Sequence, residues 1–304
     1  MNENVDYIKF NFNDVKTRGN HFVPQAYLNV FSANDNEQIW MLDKHKKAKP
    51  LKTKILNVCK QRDLYVINKE DLDLLFSWED YYRVLMDNEI ENVISETIKN
   101  EQLIPVVKPL FNIKFKLAIM VSCQMIRIPS RIFQSKKSYL EDLNILFTKE
   151  ISKMTDNIEY INALRKNLES EPVFKQFALS TLNKNSFITK ICNTLLNKTW
   201  LLFCNYTDID FITSDNPVVI YNYHTKNVGI DNGIINSNTL IAYPIHPRYM
   251  VVIFPNEYLL GGLKLFYEDS KIDVHEEKVV RFYNNLQFEN CTRQIFASRE
   301  EDLL

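Results

Sequence analysis

The hydrophobic residues of this chain change their spacing twice, and that change is what most limits the folds open to it. In a middle zone from about residue 70 to about residue 200, apolar residues recur every three or four positions, as at Ile90, Ile94 and Ile98. Such spacing predicts helices that each bury one face. We expect four or five helices in this helical zone.

Short apolar runs flank the helical zone on both sides. Asn, Asp, Gly and Pro bound them, which is typical of strands that end in turns. The predicted strands are 38–43 and 64–67 before the zone, and 201–203, 218–221 and 250–254 after it. Because no repeat or low-complexity linker divides the chain, we predict a single α+β domain over 1–304. Its N- and C-terminal strands would build a mixed sheet with the helical region at the centre.

Composition argues against several classes of function. The formal net charge is -1, so the chain has no bulk attraction for nucleic acid or for an anionic membrane. Its 5 glycines form no Gly-rich phosphate loop. The most apolar run, 117–123, is far shorter than the roughly 20 residues that a bilayer helix needs. The polar first residues also lack the pattern of a secretory signal, so we expect no membrane association.

Cysteine usage bears on the compartment. There are 5 cysteines, far apart and without a C-x-x-C pair: Cys59, Cys123, Cys192, Cys204 and Cys291. This pattern argues against a disulfide framework and against a zinc site. It fits the reducing cytosol, and we expect a cytoplasmic protein.

A polar turn near the start is the first candidate for a functional site. Asn20 and His21 are followed closely by Pro24 and Gln25. The residue before a proline is held extended, so His21 and Gln25 would project from a fixed backbone. An imidazole titrates near neutrality, as a general acid or base must. The alternative is a loop whose polar groups satisfy its own backbone.

An arginine on an apolar helix is the second candidate. Gln124 and Arg127 share a helix face, and Pro129 predicts that the helix ends near Ile128, with Arg131 just beyond. Arg127 must find a partner, because an unpaired buried charge costs several kcal/mol. That partner is either a protein carboxylate or the phosphate or carboxylate of a ligand.

A run of polar residues between two apolar segments is the third candidate. Ser214, Asp215 and Asn216 lie there, and they either form a turn or present Asp215 to a substrate, to a metal or to His21. A Ser-His-Asp triad is disfavoured, since no G-x-S-x-G elbow is present. Near the end of the chain, Arg293 is either an ion-pair partner or a ligand contact.

Together these blocks resemble a bacterial family called domain of unknown function 4238. The resemblance rests on N-H-F-V-P-Q at 20–25, Q-x-x-R-x-P-x-R at 124–131, F-x-T-S-D-N-P-V at 211–218 and a C-x-R segment at 291–293. Two departures are Cys291, where alanine looks commoner in the family, and His246, where serine does. The resemblance spans nearly the whole chain and implies that the separated blocks belong to one domain, but it implies no activity.

If the blocks converge, their residues suit metal-independent cleavage of a phosphodiester. His21 would be the general acid or base, Arg127 would stabilise developing charge, and Asp215 would orient His21. The substrate-binding residues would be Asn20, Gln25, Gln124, Arg131, Ser214, Asn216 and Arg293. No metal site and no cofactor are expected, and Mg²⁺ is not favoured, because metal-dependent nucleases cluster two or more carboxylates.

The leading enzyme hypothesis is therefore an RNase-like nuclease that acts on RNA or a nucleotide. A role as a toxin or in phage defence is a guess from context alone. Two non-enzymatic hypotheses compete with it, so the sequence does not decide whether the protein is an enzyme. The polar residues could form a buried network that fixes the fold or senses a ligand. The helical zone could instead dock a protein partner through an exposed apolar patch.

Overall fold

Blocks of strands, helices and strands follow one another along the chain. The computed structural model describes residues 19–33, 37–46, 49–69, 74–101, 113–182, 184–229, 232–255 and 269–304. The strands are β1 (Gly19–His21), β2 (Gln38–Asp43), β3 (Leu51–Lys54), β4 (Lys60–Arg62), β5 (Val66–Lys69), β6 (Leu74–Ser77), β7 (Thr199–Asn205), β8 (Thr213–Ser214), β9 (Val219–Asn222), β10 (Asn227–Val228), β11 (Thr239–His246), β12 (Tyr249–Phe254), β13 (Ser270–Val274) and β14 (Gln294–Ala297). The α-helices are α1 (Gln25–Asn29), α2 (Glu79–Leu85), α3 (Ile90–Asn100), α4 (Ile113–Arg127), α5 (Pro129–Leu146), α6 (Ser152–Met154), α7 (Ile158–Leu168), α8 (Glu171–Leu182), α9 (Asn185–Leu196) and α10 (Glu277–Asn290). This is an α+β fold, as the sequence predicts.

Strands from both ends of the chain share one four-stranded sheet. Its order is β3-β2-β14-β8, and every pair in it is antiparallel. Within it, Ile295 of β14 lies opposite Leu42 on one side and Ser214 on the other. The last strand of the chain therefore joins N-terminal strands to the polar segment that contains Asp215.

A second sheet of six strands is built from 199–274 alone. Its order is β10-β9-β11-β12-β7-β13, antiparallel except for the parallel pair β7 and β13. The mixed sheet is therefore this one, whereas the sheet shared by the two ends is antiparallel. Two further antiparallel pairs, β1 with β4 and β5 with β6, complete the strands of the described residues.

The interior position of β7, between β12 and β13, explains its unbroken apolar sequence. All seven of its residues are buried. Trp200 and Leu202 belong to the main core with the helical zone, while Leu201 and Phe203 pack with Tyr283 of α10 on the opposite face. A strand covered on both faces reads as a continuous hydrophobic run and not as an alternation. The main core runs from Val23 to Phe296 in the sequence.

The helical zone contains more helices than expected. Between 79 and 196, the described residues form eight α-helical segments, where we expected four or five. A π-helical turn (Phe147–Ile151) and short polar breaks divide what the spacing alone reads as longer helices. The zone also begins later than residue 70, since β6 precedes α2. Residues 70–73 and 102–112 lie outside the described part of the chain.

The sequence predicted a strand start at residue 64 and a helix end near Ile128. The strand expected at 64–67 begins at Val66, because the N–H of Tyr65 is taken by the side chain of Asn20 at 3.2 Å. The break expected at Ile128 is confirmed, with ψ 146° at that residue. Pro129 also starts α5, so Arg131 lies in a helical first turn and not in a loop. No helix of the described residues combines the length and apolar character needed to cross a membrane.

Candidate functional site

His21 is a nearly buried residue whose ring is held between two neighbours. Its Nε2 lies 3.3 Å from the carbonyl oxygen of Leu56, and its Nδ1 lies 3.4 Å from Nε2 of Gln25. Both contacts fit the tautomer in which Nε2 donates and Nδ1 accepts. Burial lowers the pKa of His21, with nearby Lys60 adding to the effect, so the imidazole is neutral at neutral pH.

Asn20 connects β1 to two later segments. Its Oδ1 accepts the backbone N–H of Tyr65, and its Nδ2 donates to the carboxylate of Glu79. Burial raises the pKa of Glu79. Asn20 is fully buried, so these bonds satisfy an amide that no solvent reaches.

Arg127 is buried to 1% exposure at the end of α4, and the protein supplies its charge partner. Its Nη1 lies 2.7 Å from Oδ1 of Asp87, and its Nη2 donates to the backbone carbonyl of His21 at 2.8 Å. The guanidinium lies 4.7 Å from the ring centre of Tyr82. Burial lowers the pKa of Arg127, but Asp87 and Tyr65 together more than offset this and keep the pKa above its usual value. The protein carboxylate is therefore the partner that the apolar helix required.

Gln124 lies one turn before Arg127 and binds the same N-terminal turn. Its Nε2 donates to the carbonyl of Phe22 at 3.0 Å. Within the described residues, Gln124 Oε1 and Arg127 Nε make no hydrogen bond. Both side chains are only 1% exposed. The residues Asn20, His21, Gln25, Gln124 and Arg127 are called the His21 network below.

Asp215 binds the backbone that leads into β14. Its Oδ1 accepts the N–H of Thr292 at 2.8 Å, and its Oδ2 accepts those of Arg293 and Gln294 at 2.8 and 2.9 Å. Burial raises the pKa of Asp215, and these three N–H donors oppose that rise. The carboxylate thus fixes how the last strand enters the four-stranded sheet.

Ser214 and Asn216 attach the same segment to α10. Ser214 Oγ donates to Oε1 of Gln287 at 2.8 Å, and Gln287 Nε2 donates to the carbonyl of Pro217 at 2.7 Å. Asn216 and Asn290 each donate an amide N–H to the other's carbonyl, at 3.1 and 2.6 Å. These side chains replace the missing backbone pairing of an irregular segment.

Arg293 is an ion-pair partner at the surface. Its Nε and Nη2 lie 2.9 and 2.8 Å from Oδ2 of Asp43. The hydrogen bond from Arg293 lowers the pKa of Asp43. Its side chain is half exposed, so the pair has modest energetic weight. The residues Ser214, Asp215, Asn216 and Arg293 are called the Asp215 network below.

The two networks adjoin at the backbone of Cys59. Phe22 donates its N–H to the Cys59 carbonyl at 2.9 Å, and the Cys59 N–H lies 3.4 Å from Oε1 of Gln294. The separated blocks therefore meet in space. Among the described residues, however, the His21 ring and the Asp215 carboxylate do not hydrogen-bond each other, so the expected orienting contact is not formed.

Several partners in these networks were missed by the sequence interpretation. They are the residues Tyr65, Glu79, Asp87 and Gln287. A buried arginine required some carboxylate, but its spacing did not indicate which one. Gln287 carried a usable signal, because it occupies a core-facing position of α10 beside Leu286 and is fully buried.

Arg131 and Asn216 are predicted site residues that line cavities. Arg131 lines one cavity of about 270 Å³ together with Asn216, and a second of about 420 Å³ between α5, α8 and α9. Its Nε donates to the Met125 carbonyl and its Nη1 to Oε1 of Gln134, both at 3.2 Å. A further cavity of about 540 Å³ lies beside α10 and the last residues of the chain, and none of the predicted site residues lines it.

Metal ligands and thiols are two further kinds of group that could take part in a functional site. Over the described ranges, no group of three or more His, Cys, Asp and Glu side chains is placed to hold a metal ion. All five cysteines are free and buried. Burial raises the pKa of Cys123 to about 12 and that of Cys192 to about 11, which keeps both as thiols.

Comparison with known proteins identifies the family. Residues 20–301 match the family described as protein of unknown function, DUF4238, and the chain belongs to this family. The match includes every block that carried the sequence resemblance. No curated protein and no solved structure shows significant similarity to the chain.

Proposed function

We propose that this protein acts by binding a ligand and not by catalysis, and that its motif residues hold the fold in which the ligand site is formed. The observation that carries this proposal is the burial of Arg127 against Asp87. A group that stabilises a transition state must reach the reacting atoms. A guanidinium with 1% exposure and both terminal nitrogens occupied does not reach them.

The other proposed catalytic groups support the same conclusion. Asp215 accepts three backbone N–H groups, so both of its oxygens already have partners. The ring of His21 lies against Leu56 and Gln25, with 9% exposure. Buried polar networks can specify a unique fold without any chemistry.

The ligand contacts fall to Arg131 and Asn216, which line a cavity. The buried free thiols agree with a reducing compartment, and we place the protein in the cytosol. A small ligand is favoured over a nucleic acid because the chain as a whole has a formal net charge of -1.

The test is an incubation of the purified protein with total RNA, tRNA and single-stranded DNA, with and without Mg²⁺. The variant His21→Gln is run beside the wild type, and Gln replaces the imidazole with a polar group that cannot titrate. We expect no cleavage by either protein. Cleavage by the wild type that His21→Gln abolishes would contradict the proposal.

A nuclease is the second candidate, favoured by one observation. Burial lowers the pKa of His21, and a neutral imidazole is the form that a general base requires. In that case RNA or a nucleotide is the substrate, and a toxin or phage-defence role becomes open to a test in cells. The same incubation decides between the candidates.

In a second form of the binding proposal, the ligand is a protein that docks on the helical zone. Large apolar side chains are exposed there, and α7 buries none of its residues. They are Phe133, Ile145, Leu146, Met154, Ile158, Tyr160, Phe177 and Phe187. Exposed apolar side chains of this number are typical of an interaction surface when they form one patch. Suppose that a protein partner co-purifies with the wild type. Loss of that partner when Met154→Asp and Ile158→Asp are combined would favour docking on the helical zone.

A further inference from the structure

Two cavities share Arg131 in their linings. Met125, Arg131 and Gln134 line both. The cavity of about 270 Å³ is lined mainly by apolar surface, and Asn216 and Asn290 are among its polar groups. The cavity of about 420 Å³ is rich in aromatic and aliphatic groups. We call the pair the Arg131 cleft.

The aromatic side of the cleft offers ring faces to a ligand. Phe177 and Phe187 both line it and are 45% and 39% exposed. The ring centroid of Tyr139 lies 4.7 Å from that of Phe177, so the two rings support each other. Half-exposed rings held in this way gain free energy when a flat ring covers them.

Arg131 contributes a cation to the lining of the cleft, and Asn216 and Asn290 contribute amides. Guanidinium groups carry five N–H donors in a planar fork that matches a phosphate or a carboxylate. Arg131 directs Nε and Nη1 to neutral oxygens of Met125 and Gln134, which fixes the position of the guanidinium. Asn216 is fixed in turn by Asn290.

Charge in the cleft limits how many negative groups it accepts. Asp142 lines the cavity of about 420 Å³, and Glu289 lines that of about 270 Å³. Two carboxylates and one arginine in the lining of the cleft disfavour a polyanion such as an RNA strand, since like charges repel. They favour a ligand with one anionic group and with hydroxyl or amino donors for Asp142 and Glu289.

We propose that the Arg131 cleft binds a small molecule in which one phosphate or carboxylate group is joined to a flat aromatic ring, as in a nucleoside monophosphate. The anionic group lies at Arg131, and the ring lies between Phe177 and Phe187. The cavity of about 420 Å³ falls within the range of small-molecule sites, roughly 300–1,000 Å³, and that of about 270 Å³ lies just below it. This inference rests on the proposed binding function and names the chemistry of its ligand.

The test is isothermal titration calorimetry with four probes: adenosine 5′-monophosphate, adenosine, inorganic phosphate and phenylacetate. We expect saturable binding of adenosine 5′-monophosphate or phenylacetate, each of which joins a flat ring to one anionic group. Adenosine and inorganic phosphate each lack one half of the proposed chemistry and should bind at least tenfold more weakly. Equal binding of adenosine and its monophosphate would overturn the role of the anion.

Variants place the binding in the cleft. Arg131→Gln should weaken binding at least tenfold, while Arg62→Gln, whose side chain is 74% exposed and lies outside the cleft, should leave it unchanged. Phe177→Ala should weaken binding about fivefold or more, whereas the matched Phe133→Ala, 60% exposed on α5, should not. Ser138→Trp adds bulk at an exposed position of the cavity lining and should block binding without removing any core contact.

The outcomes separate this inference from the proposed function. Binding that is indifferent to Arg131→Gln, Phe177→Ala and Ser138→Trp would overturn the assignment to the cleft, as would no binding of any probe at millimolar concentration. Neither result affects the proposal of a non-catalytic protein, which fails if nucleic acid is cleaved in a His21-dependent manner.

Discussion

At the scale of single residues, burial decides what each motif side chain does. The sequence predicted that Arg127 must be paired, because its helix is apolar, and Asp87 is that partner at 2.7 Å. It could not predict which carboxylate, since Asp87 lies 40 positions earlier in a short 3-10 turn. The role of Asp215 was beyond the sequence for a related reason. Its partners are backbone N–H groups at 292–294. Almost every residue type has a backbone N–H, so the sequence does not show which of them bind Asp215.

His21 should make stability depend on pH. Its pKa is lowered in the folded protein, so between that pKa and the ordinary value of 6.5 the unfolded chain binds a proton that the folded one does not. Stability is therefore full above about pH 7.5 and declines as the pH falls through about 6.5. We expect the free energy of unfolding, measured by urea titration, to decline more steeply in the wild type than in His21→Gln, by at most about 1.4 kcal/mol per pH unit.

The comparison has an internal control. His246 also has a pKa lowered by burial, and its contribution is the same in both proteins. Parallel pH profiles for the wild type and His21→Gln would show that His21 is not protected from protonation by the fold.

Among the helices and strands, the end of α4 and the positions of several strands were more predictable than the number of helices. Pro129 identified the end of α4, and the apolar runs identified β7, β9 and β12. The helical zone was harder, since α7 and α8 are separated by only two residues, 169–170. Spacing gives the period of a helix, whereas its ends depend on local hydrogen bonds.

Helix α7 should be the least protected of the longer helices. None of its residues is buried, and the side chain of Asn157 caps it by accepting the N–H of Tyr160 at 3.0 Å. Loss of such a cap costs about 1 kcal/mol. We expect Asn157→Ala to speed amide hydrogen exchange in α7 about fivefold and to leave exchange in the buried helix α4 unchanged. Equal protection of α7 and α4 in the wild type would mean that α7 is covered in solution.

At the scale of the whole molecule, long-range polar contacts tie distant segments together. The sequence predicted an α+β fold in which the two ends share a sheet, and β2 and β14 do so. It also predicted that the separated blocks belong together, and they adjoin at Cys59. What it could not give was the direction of each side chain, so a set of groups suited to catalysis forms two networks whose partners come from the protein.

Arg127 holds three parts of the chain at once, namely α4, the turn at Asp87 and the backbone of His21. A structural role for Arg127 is tested by the free energy of unfolding of Arg127→Gln, measured by urea titration beside Arg62→Gln. Breaking a buried ion pair by removing one partner costs about 3–5 kcal/mol, whereas an exposed substitution stays within about 0.5 kcal/mol. We expect losses of these sizes. An Arg127→Gln protein as stable as the wild type would contradict the structural role and would return Arg127 to the role of a substrate-binding or catalytic group.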